Sequence, residues 1–124
     1  MRTVLVIEDN PDNLRIVAYA LHHAGYTLVS SDRGEEAVEL ALRERPAFIL
    51  MDINLPGVDG LEATRRIRET PELRDMPIVA VTSYAMTGDR ERILAAGCNG
   101  YIEKPIDPMT FIDKVHAFVG RPTP

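Results

Sequence analysis

Apolar runs that predict β-strands alternate five times along this chain with segments of helical spacing. The apolar runs span residues 4–7, 26–29, 48–51, 78–81 and 101–102. A helix that connects two parallel strands crosses over one face of their sheet, and such crossovers are right-handed. Continuous apolar character indicates strands that are buried on both faces. The alternation therefore predicts an α/β fold of the (βα)5 type, with a doubly wound parallel sheet of five strands.

Caps and helix-ending residues delimit the helical segments. Gly25 closes the first segment, while Asp107 and Pro108 suit the N-cap and first turn of the last helix. The stretch between Pro71 and Pro77 predicts a polar loop. The remaining predicted helices span residues 34–45, 61–69 and 89–96.

The size and composition of the chain limit its class. With 124 residues, 45% of them hydrophobic, we expect residues 1–124 to form a single domain without an output domain. The longest apolar runs fall far below the roughly 20 residues of a membrane span, so we expect a cytoplasmic protein with no membrane partner. The net charge of −5 argues against nucleic acid as a partner, because binding it depends on basic patches. Cys98 is the only cysteine, which excludes an intrachain disulfide.

Reactive polar residues follow four of the five predicted strands. They are the acids Glu8, Asp9 and Asp52, the hydroxyl of Thr82 and the ammonium of Lys104. In a doubly wound sheet, ligands bind beyond the carboxyl ends of the strands, where the strand order reverses. We therefore expect these side chains to converge in one acidic pocket.

The chemistry of such a pocket favours a divalent cation and a phosphoryl group. Carboxylates about 5 Å apart repel by roughly 3 kcal/mol per pair at an effective dielectric near 20, so they stay ionised only beside a cation. Oxygen ligands at a water-accessible site suit Mg²⁺, whereas no histidine or cysteine lies at a strand end to favour zinc. Asp52, alone at its strand end, is the candidate nucleophile for an aspartyl phosphate. Lys104 provides the counter-charge, and Thr82 provides a hydroxyl for a phosphate oxygen.

Each of these residues also has an ordinary structural explanation. Asp9 suits a helix cap, Asp52 suits a turn cap, Thr82 is common at strand ends, and Lys104 is common in loops. For each residue taken alone, the structural explanation is at least as probable as a functional one. Their joint position at the ends of successive strands favours a functional site.

Four segments of the chain match a known family. They are VLVIEDN at 4–10, MDINLPG at 51–57, VTSYAM at 81–86 and YIEKP at 101–105. With this combination the chain resembles, over its whole length, the receiver domain of two-component response regulators, and it looks most like single-domain regulators of the DivK kind. The resemblance implies a flavodoxin-like (CheY-like) sheet with strand order 2-1-3-4-5. It also implies a phosphorylation-dependent signalling switch that catalyses only its own phosphorylation and dephosphorylation.

The resemblance implies a role for each residue of the pocket. Asp52 would accept a phosphoryl group from the phosphohistidine of a histidine kinase or a histidine phosphotransfer protein. Mg²⁺ would be held by Asp9, Asp52 and the backbone carbonyl of Asn54, with Glu8 joining through water. Lys104 would contact the phosphoryl group.

The resemblance also implies how the signal is passed on. Thr82 and Tyr101 would form the switch pair, and the Lys104–Pro105 bond would be cis. The face that changes would consist of the fourth helix, the fifth strand and the fifth helix, and it would bind a downstream signalling protein. Tyr84 occupies a position that tunes the lifetime of the phosphoryl group in the family.

Four other assignments remain open from the sequence. Met1 directly before the first strand favours a free-standing regulator, but a receiver excised from a hybrid histidine kinase would look alike. A Mg²⁺-dependent phosphatase of the haloacid dehalogenase type would need an aspartate where Asn54 stands. A flavodoxin-like cofactor binder is disfavoured because the acidic loop at 8–12 would repel a flavin phosphate. A histidine phosphotransfer protein would use His22 or His23, which the dipole of a helix end also explains.

Overall fold

A parallel sheet lies at the centre of the structure. The computed structural model describes residues 2–83 and 87–120, and within them the strands are β1 (Arg2–Ile7), β2 (Tyr26–Ser31), β3 (Phe48–Asp52), β4 (Ile78–Thr82) and β5 (Gly100–Glu103). Neighbouring strands are parallel and follow the order β2-β1-β3-β4-β5. The strand order reverses between β1 and β3, the place where doubly wound sheets bind ligands. The predicted α/β class and strand order are confirmed.

Helices cover both faces of this sheet. They are α1 (Pro11–His23), α2 (Ala37–Glu44), α3 (Gly60–Glu69), α4 (Thr87–Ala96) and α5 (Phe111–Val119). Helices α1 and α5 pack on one face, and α2, α3 and α4 pack on the other. Among the described helices, none combines the length and the apolar character that crossing a bilayer requires.

Burial on both faces explains the continuous apolar sequences of the central strands. In β1, Val4 and Val6 contact the core beneath α1 and α5, whereas Leu5 and Ile7 contact the core beneath α2, α3 and α4. Successive side chains of a strand point to opposite faces, so a strand between two helical layers needs apolar residues at every position. Burial of one such side chain stabilises the fold by about 1.5–3 kcal/mol.

Two helices begin three residues later than the sequence predicted, and the other boundaries differ by at most two residues. The last helix begins at Phe111 instead of directly after Asp107, although Asp107 makes contacts typical of an N-cap: its carboxylate accepts the Met109 N–H and its carbonyl accepts the Phe111 N–H, both at 2.9 Å. A turn over residues 108–110 thus separates Asp107 from the regular helix. The helix predicted at 34–45 begins as a short 3₁₀ turn, Gly34–Glu36, before α2.

The loop predicted between Pro71 and Pro77 also contains regular structure. Residues Pro71–Leu73 form a 3₁₀ turn, and the Leu73 side chain is buried in the core beneath α2, α3 and α4. The surrounding residues are mostly polar and exposed. Leu73 and Met76 thus pack this segment onto the core, although its composition is that of a loop.

Candidate functional site

Four strands end at the same edge of the sheet and supply the polar residues of the site. Glu8 follows β1, Asp52 ends β3, Thr82 ends β4 and Lys104 follows β5. Glu8, Asp9 and Asp52 each offer a carboxylate oxygen, and these oxygens lie within 4.8 Å of one another. Glu8 and Asp52 are 3% and 2% exposed, whereas Asp9 is exposed. The three acids therefore form one cluster that opens to solvent on the side of Asp9.

Lys104 joins this cluster from the last strand of the sheet. Its Nζ lies 3.3 Å from Glu8 Oε1 and 3.4 Å from Asp52 Oδ1, and its side chain is 12% exposed. The backbone N–H of Lys104 donates to the Thr82 carbonyl at 2.8 Å, and the Lys104–Pro105 bond is cis, as the resemblance implied. Because buried carboxylates lose their hydration, this ammonium offsets part of the cost of burying them.

Three carboxylates beside one ammonium leave the cluster with an excess of negative charge. Burial raises the pKa of Glu8 to about 7, and the hydrogen bond and charge of Asp52 act in the same direction. The pKa of Asp9 is also raised, first by partial desolvation and then by Asp52. A divalent cation such as Mg²⁺ would favour the ionised forms of these acids. Carboxylate oxygens are also the ligands that Mg²⁺ prefers.

The turn after β1 decides which acids are available to a ligand. Asn10 is the N-cap of α1, and its Oδ1 accepts the N–H groups of Asp12 and Asn13 at 2.9 and 3.0 Å. The alternative in which Asp9 caps this helix is therefore wrong. Asn10 also donates its backbone N–H to Glu8 Oε2 at 3.2 Å. One residue thus ends the turn and orients the buried carboxylate.

The loop after β3, residues 53–59, begins beside the central acid. The backbone N–H of Asn54 donates to Asp52 Oδ1 at 3.1 Å, and Lys104 contacts the same oxygen. The Asn54 N–H and the Lys104 ammonium together hold this oxygen of the Asp52 carboxylate. Asn54 itself is exposed and lies at the rim of the cluster.

The residues predicted as a switch pair lie on adjacent strands. Thr82 is fully buried at the end of β4, and Tyr101 is half-buried in β5. Arg90 of α4 stacks on the Tyr101 ring, with its guanidinium carbon 5.5 Å from the ring centroid. This cation–π contact connects α4 to the ring. Tyr84 and the other residues of segment 84–86 lie outside the described residues, so the role of Tyr84 stays a prediction.

His22 and His23 lie away from the acid cluster. They occupy the last turn of α1, whose first residue, Pro11, follows soon after the acids of β1. A helix of 13 residues spans about 20 Å, so the two histidines lie towards the opposite edge of the sheet. The two histidines and the acid cluster therefore do not belong to one site.

Three contacts around the site were absent from the sequence prediction. The capping role of Asn10 has a local signal, because a cap residue followed by proline is typical of helix starts. The stack of Arg90 on Tyr101 has none, and neither does the 3.0 Å hydrogen bond from Val58 N–H to Glu35 Oε1. Both contacts join elements that only the tertiary fold brings together.

Comparison with known proteins identifies the family. The family model of the response regulator receiver domain matches residues 4–116, which is most of the chain. The chain belongs to this family. Receiver domains of response regulators act as signalling switches rather than as metabolic enzymes, with a histidine kinase as phosphodonor and a downstream partner. The class of function that the resemblance implied is confirmed at this level.

Relatives of this receiver domain include DivK proteins. The polar-differentiation response regulator DivK of Brucella anthropi is 42% identical over 119 residues, which cover 96% of this chain and 97% of that protein. DivK of Brucella ovis is 41% identical with the same coverage. The predicted likeness to regulators of the DivK kind is confirmed.

Solved structures share the fold over nearly the whole receiver domain. The receiver domain of the sensor histidine kinase PA1611 from Pseudomonas aeruginosa PAO1, with a magnesium ion coordinated in its active-site cleft, is 38% identical. It superposes with a TM-score of 0.87 and covers 97% of this chain and 98% of that one. The chemotaxis protein CheY4 of Vibrio cholerae is 26% identical with a TM-score of 0.89, over 95% of this chain and 98% of that one. The predicted CheY-like fold is confirmed.

Proposed function

We propose that this receiver domain accepts a phosphoryl group from a phosphohistidine onto Asp52, with Mg²⁺, and thereby regulates a partner protein. The phosphohistidine would belong to a histidine kinase or to a histidine phosphotransfer protein. The observation that carries the proposal is the cluster of Glu8, Asp9 and Asp52, with carboxylate oxygens within 4.8 Å of one another, held against the buried ammonium of Lys104. An acidic cluster beside one ammonium suits the binding of both a metal ion and a phosphoryl group.

Asp52 is the acid best prepared for attack on phosphorus. It is buried at the end of a central strand, and its Oδ1 is held by Lys104 and by the Asn54 N–H. In the transfer step, an Asp52 oxygen forms a bond to phosphorus while the phosphorus–nitrogen bond of the donor breaks, and the imidazole leaves. Lys104 Nζ can then follow the negative charge from the carboxylate to the phosphoryl oxygens, because both lie at the same strand ends.

The residues of the cluster fit Mg²⁺ by their chemistry. Asp9, Asp52 and the backbone carbonyl of Asn54 would hold the ion, with Glu8 joining through water. When bound, Mg²⁺ neutralises charge that develops on the transferring phosphoryl group. The exposure of Asp9 beside two buried acids supports a site that is open on one side, which leaves room for water and for phosphate oxygens.

The switch would couple Thr82 to Tyr101. Contacts of Thr82 and Lys104 with a charged phosphoryl group are worth about 1.5–3 kcal/mol each. Shifting a two-state equilibrium from 1:99 to 99:1 takes about 5.5 kcal/mol, so two contacts nearly suffice. A cavity of about 360 Å³, lined by Thr82, Asn54 and Asp89 among others, lies at this strand end and would provide room for the rearrangement. Tyr101 would repack when Thr82 moves.

The signal would leave through the surface formed by α4, β5 and α5. A groove of about 340 Å³ on this surface is lined by Arg90, Tyr101, Glu103, Lys114 and Phe118. Phe118 is 41% exposed, and aromatic side chains flanked by charged ones are typical of protein-binding surfaces. Because Tyr101 belongs both to the groove and to the switch pair, its movement would change the surface that a partner meets.

The test of this function is phosphorylation by acetyl phosphate with Mg²⁺. We expect the wild type to gain the mass of one phosphoryl group and Asp52→Asn to gain none. Asp59→Asn is the control, because Asp59 lies in the same loop and its variant keeps the oxygen that accepts the Glu62 N–H at the start of α3. Equal phosphorylation of Asp52→Asn and the wild type would refute the assignment of Asp52.

A receiver that is part of a hybrid histidine kinase is the second candidate. The 38% identity to the PA1611 receiver domain favours it, as the DivK relatives favour a free-standing regulator. The chemistry of Asp52 would be the same in both. An antibody against this chain, applied to an extract of the native cell, separates the two by the size of the protein that it detects.

A further inference from the structure

The loop after β3 contacts the 3₁₀ turn Gly34–Glu36, which lies between β2 and α2. The Val58 N–H donates a hydrogen bond to Glu35 Oε1 at 3.0 Å, between residues 23 positions apart in the sequence. Glu35 takes no part in the acid cluster, and neither the sequence motifs nor the proposed chemistry gives it a role.

The two segments approach each other too closely for additional atoms. A Cβ on Gly34 would lie 2.3 Å from the Val58 carbonyl oxygen, and a Cβ on Gly57 would lie 3.3 Å from Glu35 Oε1. Gly57 also has a φ of +72°, which favours glycine. The tip of the loop is thus seated against the turn by backbone contact as well as by the hydrogen bond.

The other end of the loop is fixed to the strand that carries Asp52. The Gly60 N–H donates to the Ile53 carbonyl at 3.1 Å, and the Asn54 N–H donates to Asp52 Oδ1 at 3.1 Å. A Cβ on Gly60 would lie 2.1 Å from the Asp52 carbonyl oxygen. The loop therefore has one attachment at Asp52 and another at Glu35, with Asn54 between them.

The charge of Glu35 is suited to this contact. Its pKa is lowered, chiefly by the Val58 N–H, and Arg33 Nη2 lies 3.3 Å from Oε2. An ionised carboxylate accepts a stronger hydrogen bond than a neutral group does. One oxygen of Glu35 thus holds the loop while Arg33 contacts the other.

We propose that Glu35 is a positioning residue for the metal and phosphoryl site. By holding Val58, it fixes the loop that carries Asn54, whose backbone carbonyl would be a metal ligand. The role towards the metal rests on the proposed function, whereas the positioning of the loop does not. Residues that orient ligands from outside the coordination sphere affect metal affinity by about 10–100-fold.

The test compares Glu35→Ala with Glu35→Gln and with the matched control Glu36→Ala. Glu36 is the next residue, has the same charge, and its carboxylate contacts Ser31 instead of the loop. The first measurement is amide hydrogen exchange of Val58 in metal-free protein. We expect exchange about tenfold faster in Glu35→Ala, since one hydrogen bond to a charged group is lost. Glu35→Gln keeps an acceptor oxygen and should restore most of the protection.

The second measurement is Mg²⁺ affinity by calorimetry. We expect Glu35→Ala to bind Mg²⁺ about tenfold more weakly, at the low end of the range because Glu35 is partly exposed. Glu36→Ala should retain wild-type affinity apart from the effect of one lost negative charge, which both variants share. Equal affinity in Glu35→Ala and Glu36→Ala, with unchanged Val58 exchange, overturns the inference. A wild type that binds no Mg²⁺ contradicts the proposed function instead, and the exchange of Val58 still decides whether Glu35 holds the loop.

Discussion

Lys104 Nζ lies 3.3 Å from Glu8 Oε1, and this contact joins two strands that are not neighbours in the sheet. Glu8 follows β1 and Lys104 follows β5, with β3 and β4 between them. The Lys104 side chain therefore spans the carboxyl ends of the central strands and passes beside Asp52. This geometry makes the ammonium the structural partner of the acids before any ligand binds.

Replacement of Lys104 by methionine should destabilise the metal-free protein. The change leaves Glu8 and Asp52 buried without their cation, and the loss of one partner from a buried ion pair costs about 3–5 kcal/mol. We expect about 3 kcal/mol, measured by urea unfolding at pH 8 with EDTA, because Glu8 is able to take up a proton in compensation. The matched control is Lys114→Met, which removes the other lysine, on the exposed side of α5. Equal destabilisation by the two variants would contradict a structural role for the buried pair.

The raised pKa of Glu8 predicts how stability changes with pH. Glu8 has an ordinary pKa of 4.5 and a pKa of about 7 in the folded protein, so the folded state holds this proton more tightly than the unfolded state. The stability that the proton contributes is present below pH 4.5 and is lost as the pH rises through about 7. Glu8→Gln, which stays neutral, should lack this loss. At pH 8 with EDTA we expect the variant to be more stable than the wild type by on the order of 3 kcal/mol.

The measurement for Glu8 is the free energy of unfolding at pH 5 and pH 8 for both proteins. The raised pKa of Asp9 changes stability with pH in the same direction in the wild type and in Glu8→Gln. The difference between the pH slopes of the two proteins therefore isolates the contribution of Glu8. Parallel slopes would show that the Glu8 proton is not held as inferred. Added Mg²⁺ should reverse the order at pH 8, because the ion stabilises ionised carboxylates.

Thr82→Ala should separate phosphorylation from switching. The variant keeps Asp52, Lys104 and the acid cluster, so we expect acetyl phosphate to modify it as it does the wild type. Loss of the hydroxyl contact, worth about 1.5–3 kcal/mol, should lower the ratio of active to inactive conformers by roughly tenfold or more. The measurement is the change in the NMR signal of the Tyr101 ring on addition of beryllofluoride. Ser83→Ala removes an adjacent, exposed hydroxyl as the control, and an unchanged Tyr101 response in Thr82→Ala would reject the coupling.

Gly100→Ala should destabilise the protein by disturbing the packing of β5 against α5. A Cβ at this position would lie 2.1 Å from the Phe118 ring, so the ring has to move. Overpacking of this kind costs about 1–3 kcal/mol. In a Phe118→Ala background the same change should cost little, and the double-mutant cycle measures the coupling. Gly88→Ala on α4 is the control, since its Cβ meets nothing within 4 Å and should stabilise the helix by about 0.5–1 kcal/mol.

Local sequence patterns predicted the elements of this fold better than their boundaries. Apolar runs mark β1, β3 and β4 because burial on both faces demands apolar residues at every position. The predicted start of α5 was wrong by three residues, since a turn over residues 108–110 separates Asp107 from the regular helix. The burial of Leu73 was not predicted, because the residue lies in a polar segment and only the position of the core explains its burial.

The sequence by itself determined the fold class, the family and the acids at the strand ends, because strand period, strand-end position and motif are properties of neighbouring residues. It did not determine that Asn10 rather than Asp9 caps α1, although that distinction depends on two local hydrogen bonds. Tertiary structure alone decided that Lys104 reaches Glu8 across two intervening strands and that Glu35 holds Val58. Such contacts depend on the packing and twist of the whole sheet, which bring together side chains that share no local pattern.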